Sequence, residues 1–152
     1  MIDLNCAAIV AMCQISIPYM QKGAKIVNIA SVAAYQPIPY INVYGATKSF
    51  VLHFSRALNR ELKKDGISVT AVCPFWTKTA FFDRATTKNN IVKKYAVMYQ
   101  PSQIVARAWK DAKKKNKDVS ICGAYAKGQA WLVKLLPHKM VMNVWLNQQK
   151  LK

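Results

Sequence analysis

The stretch SVAAYQPIPYINVYGATK, residues 31–48, decides how this chain is read. It opens on a serine that ends an apolar run, KIVNIAS (25–31), whose β-branched residues suit a strand. It crosses a loop over 32–41 marked by Pro37 and Pro39, and it closes on Tyr44 and Lys48. Those two are four residues apart, so a helix sets them on one face. The helix is predicted from about Asn42 to Lys64: Val51, Ser55, Leu58 and Leu62 continue the three-four spacing, and Asp65-Gly66 closes it.

Working outward, ISVTAVC (67–73) reads as a second strand stopped by Pro74, and DVSIC (118–122) as a third ended by Gly123. The first run lacks strict alternation, which predicts a strand covered on both faces. Asp3 is expected to cap an apolar helix over 3–19, with Pro18, Gln21 and Gly23 marking its end. Pro101 suits the first turn of a helix over 101–114, and two helical stretches, 126–136 and 138–150, flank Pro137. Helices alternating with strands predict one α/β domain over 1–152: three parallel strands with helices on both faces. Residues 78–100 mix aromatics with lysines without clear periodicity and are expected to form a substrate loop or lid. Residues 126–152 are expected to be a C-terminal helical extension.

Hydrophobic residues make up 53% and charged residues 19% of the 152, which excludes a disordered chain. The formal charge of +17 is uneven. Residues 1–50 hold Lys22, Lys25 and Lys48 against Asp3, and the excess is densest at Lys88–Lys94 and Lys110–Lys117. Such a surface attracts polyanions, although a solvated basic surface is the simpler reading and no specific nucleic-acid partner is implied. Cys6, Cys13, Cys73 and Cys122 include no C-x-x-C pair, and neither His53 nor His138 lies near a cysteine pair. This predicts no metal site and no disulfide framework, but free thiols in a reducing, cytoplasmic compartment. Gln14, Ser16 and Pro18 interrupt the apolar 6–20 segment, and its only early charge is Asp3, which fits neither a membrane span nor a signal peptide.

Ser31, Tyr44 and Lys48 can form one chemical device. A free tyrosine, with a pKa of about 10, is a poor acid or base at neutral pH. A cation at ~4 Å in an effective dielectric near 20 favours phenolate by about 4 kcal/mol, or roughly three pKa units. That predicts a Tyr44 near the operating pH of a general acid/base. A serine hydroxyl at the end of the preceding strand can bond a substrate oxygen. A Y-x-x-x-K match alone is expected about once by chance with 7 tyrosines and 19 lysines; requiring a serine thirteen residues earlier lowers this to about 0.04. The placement at the carboxyl end of a strand is also where ligands of open α/β sheets bind.

From Asn5 to about Pro137 the chain resembles the short-chain dehydrogenases/reductases. NIAS followed by YGATK looks like the family's serine and Y-x-x-x-K motifs, and LNCAA (4–8) looks like the segment carrying its active-site asparagine, at Asn5. CPFWTKT (73–79) is similar to the proline-glycine-x-valine-x-threonine segment beside the nicotinamide: Pro74 and Thr79 match, Phe75 replaces glycine and Thr77 replaces valine. The resemblance implies a partial Rossmann-like, NAD(P)-binding fold and an oxidoreductase that reduces a carbonyl or oxidises an alcohol. Tyr44 would be the acid/base, Ser31 would position the substrate oxygen, Lys48 would lower the Tyr44 pKa and bind the cofactor ribose, and Asn5 would hold a water linking Lys48 to solvent. Tyr44, Lys48, Pro74, Thr77 and Thr79 would contact NAD or NADP, with no preference encoded. The aromatics of 78–100 suggest an apolar small-molecule substrate. Helices 3–19 and 42–64 would form a homo-oligomer interface.

The glycines at 23, 45, 66, 123 and 128 do not make the glycine-rich strand-turn-helix that cradles a dinucleotide pyrophosphate. The chain thus resembles the carboxyl-terminal portion of the family. It is expected to bind dinucleotide weakly, to turn over little by itself, and to leave strand 25–31 as an open edge. The alternatives are an interaction fragment that pairs with a full-length relative, and a basic peripheral protein on acidic membrane that uses the helices after 126.

Overall fold

The computed structural model describes residues 1–80, 92, 94–114 and 116–151. Three parallel strands, β1 (Lys25–Ile29), β2 (Ser68–Val72) and β3 (Val119–Ser120), form one sheet in the order β1-β2-β3. The register pairs Lys25 with Ser68 through Ile29 with Val72, and Ala71 with Val119. Among the described residues, five α-helices accompany the sheet: α1 (Ala8–Ser16), α2 (Asn42–Glu61), α3 (Pro101–Ala112), α4 (Ala124–Leu135) and α5 (His138–Gln149). The predicted α/β class, the parallel sheet and the element order all hold. The strands are shorter than the apolar runs suggested, but their hydrogen bonds reach further. Ala30 N donates to Val72 O, Val32 N to Pro74 O and Cys73 N to Ser120 O.

The segment 3–19 is three helical pieces: a π-helical turn (Asp3–Ala7), α1, and a 3₁₀ turn (Ile17–Tyr19). Asp3 is not the cap. Ile2 takes that position without a side-chain bond, and Ala8 N reaches back to Asp3 O across one widened turn. The segment 32–41, expected as a loop, contains a 3₁₀ turn at Val32–Tyr35 that Ser31 caps by accepting from Ala33 N at 3.1 Å. Within the expected lid, residues 81–91 and 93 lie outside the described residues.

The two faces of the sheet are covered unequally. Cys13, Ile26, Leu58, Leu62, Ile67 and Val69 form one buried cluster between α1, α2 and the strands. A second joins Ala30, Val32, Val51, Leu52, Ala71 and Cys73 to Ala126 and Ala130 of α4. Asn28 belongs to the α1–α2 side too, donating to Ser55 Oγ at 2.9 Å and to Cys13 Sγ at 3.9 Å. Side chains alternate along a strand, so Val27 and Ile29 point the other way, beside Thr70 and Val72. Thr70 and Val72 are buried, whereas Val27 and Ile29 stay 42% and 52% exposed. β1 is therefore covered on one face rather than two. Among the described residues it pairs only with β2, which leaves it at the sheet edge.

Two side chains of α5 fasten it across the carboxyl end of the sheet. Trp145 Nε1 donates to Pro39 O at 3.2 Å. The Gln149 amide accepts from Lys94 N at 3.0 Å and donates to Lys94 O at 3.1 Å. Gly123 begins α4 at φ +84°, and a β-carbon there would collide with the Tyr99 hydroxyl and ring. This position requires glycine for both reasons.

Candidate active site

A cleft of about 1540 Å³ opens at the carboxyl ends of β1 and β2. Asn5, Ser31, Tyr44, Lys48, Pro74, Thr77 and Thr79, the seven residues singled out in the sequence, all line it. β1 delivers Ser31 at its end, and the 3₁₀ turn that Ser31 caps leads the chain back to α2. The first turns of α2 place Tyr44 and Lys48 on the cleft side by their four-residue spacing. The π-helical turn carries Asn5, whose Nδ2 donates to Thr47 Oγ1 at 3.1 Å; Thr47 Oγ1 in turn donates to Tyr44 O at 2.9 Å. Asn5 is thus tied to the turn of α2 that bears both Tyr44 and Lys48. π-Turns of this kind cluster at functional sites.

Ser31 Oγ lies 3.5 Å from Pro74 O, with the hydroxyl as donor, and its side chain is near enough to Tyr44 to favour the phenolate. Pro74, Thr77 and Thr79 follow β2 on the opposite wall. Thr77 Oγ1 donates to Phe75 O at 2.8 Å, and Thr77 forms a parallel bridge with Tyr99. Phe75 makes tilted or edge contacts with Trp76, Tyr99 and Tyr125, at centroid distances of 6.0, 6.4 and 5.7 Å. The aromatic ring at this point fills space where the family pattern has glycine.

The electrostatics differ from the sequence expectation. Burial pushes the Tyr44 phenol above its ordinary 10.0, and the Ser31 side chain only partly offsets this. Lys48 Nζ donates to Ile29 O at 2.9 Å and stands 5.7 Å from the Tyr44 ring centroid. The ammonium is engaged by a backbone carbonyl instead of the phenol, and half-burial pushes its own pKa down. It therefore does not bring Tyr44 near neutrality in this arrangement.

Further buried or half-buried groups also resist ionisation. Burial raises Cys73 to about 11 despite a bond from Tyr35, and it raises the Tyr35 phenol and the Cys13 thiol. With Tyr44, these groups hold protons more tightly folded than unfolded. Their contribution to stability is full below the ordinary values, 9.0 for thiols and 10.0 for phenols, and is lost as pH rises through the folded ones. Lys48 acts in the opposite sense, but alone against four. The urea midpoint is expected to fall between about pH 9 and pH 11, and Cys73→Ala is expected to flatten that fall. A midpoint constant over this range would contradict the assignment.

Sequence reasoning missed Thr47, Trp145 and Gln149. Thr47 carried no signal beyond its position between Tyr44 and Lys48. The ties of Trp145 to Pro39 and Gln149 to Lys94 span 106 and 55 residues, beyond any local pattern.

The fold and cleft define a class, and comparison with known proteins agrees with it. A family profile described as short chain dehydrogenase matches residues 1–90. The chain belongs to the short-chain dehydrogenase family. It is 40% identical over 76 residues to the uncharacterized oxidoreductase YghA of Escherichia coli K12, which covers 49% of this chain and 26% of YghA. It is 29% identical over 152 residues to the very-long-chain 3-oxoacyl-CoA reductase of Anas platyrhynchos, covering 99% of this chain and 46% of the relative. The chain thus spans from about a quarter to about half the length of these relatives. Among solved structures, a short-chain dehydrogenase from Sphingobium yanoikuyae in complex with NADPH superposes with a TM-score of 0.64 at 30% identity, over 86% of this chain and 51% of the other. A short-chain dehydrogenase from Burkholderia cenocepacia J2315 in complex with NADP gives 0.74 at 17% identity, over 94% and 56%; that likeness bears on the fold alone.

Proposed function

We propose that this chain carries the proton-handling half of an NAD(P)-dependent redox site for a small-molecule carbonyl or alcohol. The observation that carries the reading is the convergence of Ser31, Tyr44 and Lys48 on one cleft, with Lys48 Nζ 5.7 Å from the Tyr44 ring centroid. In reduction, the Tyr44 hydroxyl donates its proton to the carbonyl oxygen while Ser31 Oγ bonds the same oxygen. In oxidation, Tyr44 takes the proton back. Lys48 supplies positive charge beside the phenolate as it forms, and Asn5, held by Thr47, positions a water that links Lys48 to solvent. When bound, the nicotinamide supplies or accepts the hydride.

The residues present fit one end of such a cofactor. Lys48, Pro74, Thr77 and Thr79 line the cleft where a nicotinamide ribose would rest. A pyrophosphate cradle is not formed by the glycines. Gly23 N bonds Gly66 O at 2.9 Å at the amino ends of β1 and β2, away from the cleft. Gly45 and Gly128 lie inside α2 and α4, and Gly123 packs on Tyr99. The cleft exceeds the ~300–1,000 Å³ that one drug-sized ligand usually occupies. Its far wall, with Leu132, Val141 and Trp145, favours an apolar substrate.

Titrating the chain with NADPH, NADH and reduced nicotinamide mononucleotide tests this fit. The mononucleotide lacks the second phosphate and the adenosine. It is expected to bind within about threefold of the dinucleotides, all weakly, because only ribose-end contacts are available. Dinucleotide binding more than tenfold tighter would reveal a cradle and overturn the reading.

A second reading rests on exposed apolar side chains of the first two long helical segments. Met12, Ile15, Tyr19, Val43 and Phe50 are all exposed, as is Leu4, which also lines the cleft. Pairing through 3–19 and 42–64, with a second copy or a longer relative, would cover them. It is compatible with the redox role.

A further inference from the structure

The helices α4 and α5 carry apolar side chains that the core does not use. Their buried faces are complete: Ala126, Ala130 and Val133 on α4, and Val141, Trp145 and Gln149 on α5. Outside these faces, Trp131, Leu132, Leu135, Met140 and Val144 are each between 48% and 64% exposed. Leu132 and Leu135 are three apart and Trp131 and Leu135 four apart, so they share one side of α4; Met140 and Val144 share one side of α5. Core packing therefore accounts for Trp145 but not for Trp131 or Met140.

Charge narrows the choice of partner. After Asp118 the chain contains no acidic residue and five lysines, among them Lys127 and Lys139 on the exposed sides of α4 and α5. Neither helix is long and apolar enough to cross a membrane. An exposed stripe with Trp, Leu and Met, flanked by lysines and free of acidic residues, is the pattern of a helix lying in a bilayer interface. A second copy meeting this surface face to face would bring lysines against lysines without a carboxylate to pair them. We propose that α4 and α5 dock on an acidic lipid bilayer, with Trp131, Leu135 and Met140 entering the headgroup–acyl boundary and Lys127 and Lys139 meeting the headgroups. Leu132 and Val144 line the cleft instead, so the docked face opens toward the site.

The test is co-sedimentation of the whole chain with vesicles of phosphatidylcholine alone and of phosphatidylcholine with about 30% phosphatidylserine, a mix that gives the negative surface this pattern requires. Binding is expected to the acidic vesicles only, to weaken with salt, and to quench Trp131 fluorescence when the lipids are brominated; Trp131→Phe should remove most of that quenching. Lys127→Gln and Lys139→Gln are each expected to weaken binding about fivefold, and Trp131→Ser with Leu135→Ser roughly tenfold or more. These sites are exposed, so unchanged thermal melts serve as the folding control. Three results would overturn the proposal. Binding that survives the Trp131/Leu135 double substitution would be diffuse charge attraction by other lysines. Equal binding to neutral vesicles would remove the role of charge. A dimer in solution, dissociated by the same double substitution, would assign the face to a second copy.

Discussion

Replacing Tyr44 with phenylalanine is expected to lower carbonyl reduction by about 10²- to 10⁴-fold, the usual contribution of a positioned general acid. Because the chain is expected to bind cofactor weakly and turn over slowly by itself, the assay follows slow oxidation of reduced nicotinamide mononucleotide or NADPH, in large excess, with a simple ketone over long incubations. The substitution keeps the ring, which lies beside Lys48 Nζ, and removes only the hydroxyl. The melting temperature should move little, so a lost rate reports chemistry rather than unfolding. The raised Tyr44 pKa gives a second signature. A phenol above 10.0 is protonated through neutral pH and ready to donate. Reduction should therefore be flat from about pH 6 to 9 and decline as the phenol ionises. Oxidation of the matching alcohol needs the proton-accepting form and should rise over the same alkaline range. Ser31→Ala should weaken both directions, and it removes the hydroxyl that offsets part of the burial, so its alkaline limb should shift upward. A Tyr44→Phe chain that keeps more than a tenth of the rate would show that another group moves the proton.

The parts of this site that were legible in the sequence are the local ones. A serine at the end of an apolar run and a tyrosine four residues before a lysine are set by strand and helix geometry alone. Once β1 and α2 form, Ser31, Tyr44 and Lys48 must converge near the carboxyl end of the sheet. Asn5, Pro74 and Thr79 were legible only through resemblance to a family, because no local period links them to Tyr44. The Tyr44 pKa was not legible. Its direction depends on where the Lys48 ammonium goes, and the Ile29 carbonyl, 19 residues away, decides that. The one-sided cover of β1 was missed for a related reason. IVNIA (26–30) is apolar at both alternating positions except Asn28, which suggests two buried faces. Yet Asn28 is buried on the same face as Ile26 and satisfied by Ser55, while Val27 and Ile29 are exposed. Polar pairing across 27 residues reversed what hydrophobicity implied. The closure of the cleft by α5 rests on two side chains bonded to distant backbone, and periodicity carries no trace of such ties.

The same limit explains why Asp111 drew no attention among the lysines of 110–117, although its replacement by alanine should be among the most destabilising single changes. The carboxylate is 0% exposed. Oδ2 accepts from Arg107 Nε at 2.7 Å and from Ser120 Oγ at 3.0 Å. Ser120 is one of the two residues of β3, which pairs with β2 through only two register positions. Asp111 thus ties α3 to the strand with the weakest ladder, just before the Gly123 turn that launches α4 along the cleft. Removing one partner of a buried charged pair usually costs about 3–5 kcal/mol. Arg107 is partly exposed and can reach water once freed, so the lower end, about 3 kcal/mol, applies here. Burial pushes the Asp111 carboxyl up, but the hydrogen bonds from Arg107 and Ser120 outweigh it and leave the pKa below the ordinary 3.8. A lowered carboxylate pKa contributes stability that is full above 3.8 and is lost as pH falls through the folded value. Asp111→Asn keeps the shape and removes the titration. Urea denaturation of the parent chain should therefore show a loss of stability below about pH 4 that is smaller in Asp111→Asn. Asp111→Ala should be less stable at every pH, and its β3 amides should exchange faster with solvent than those of β1. Equal exchange of the two strands would mean that Asp111 stabilises α3 alone and that β3 is held from elsewhere.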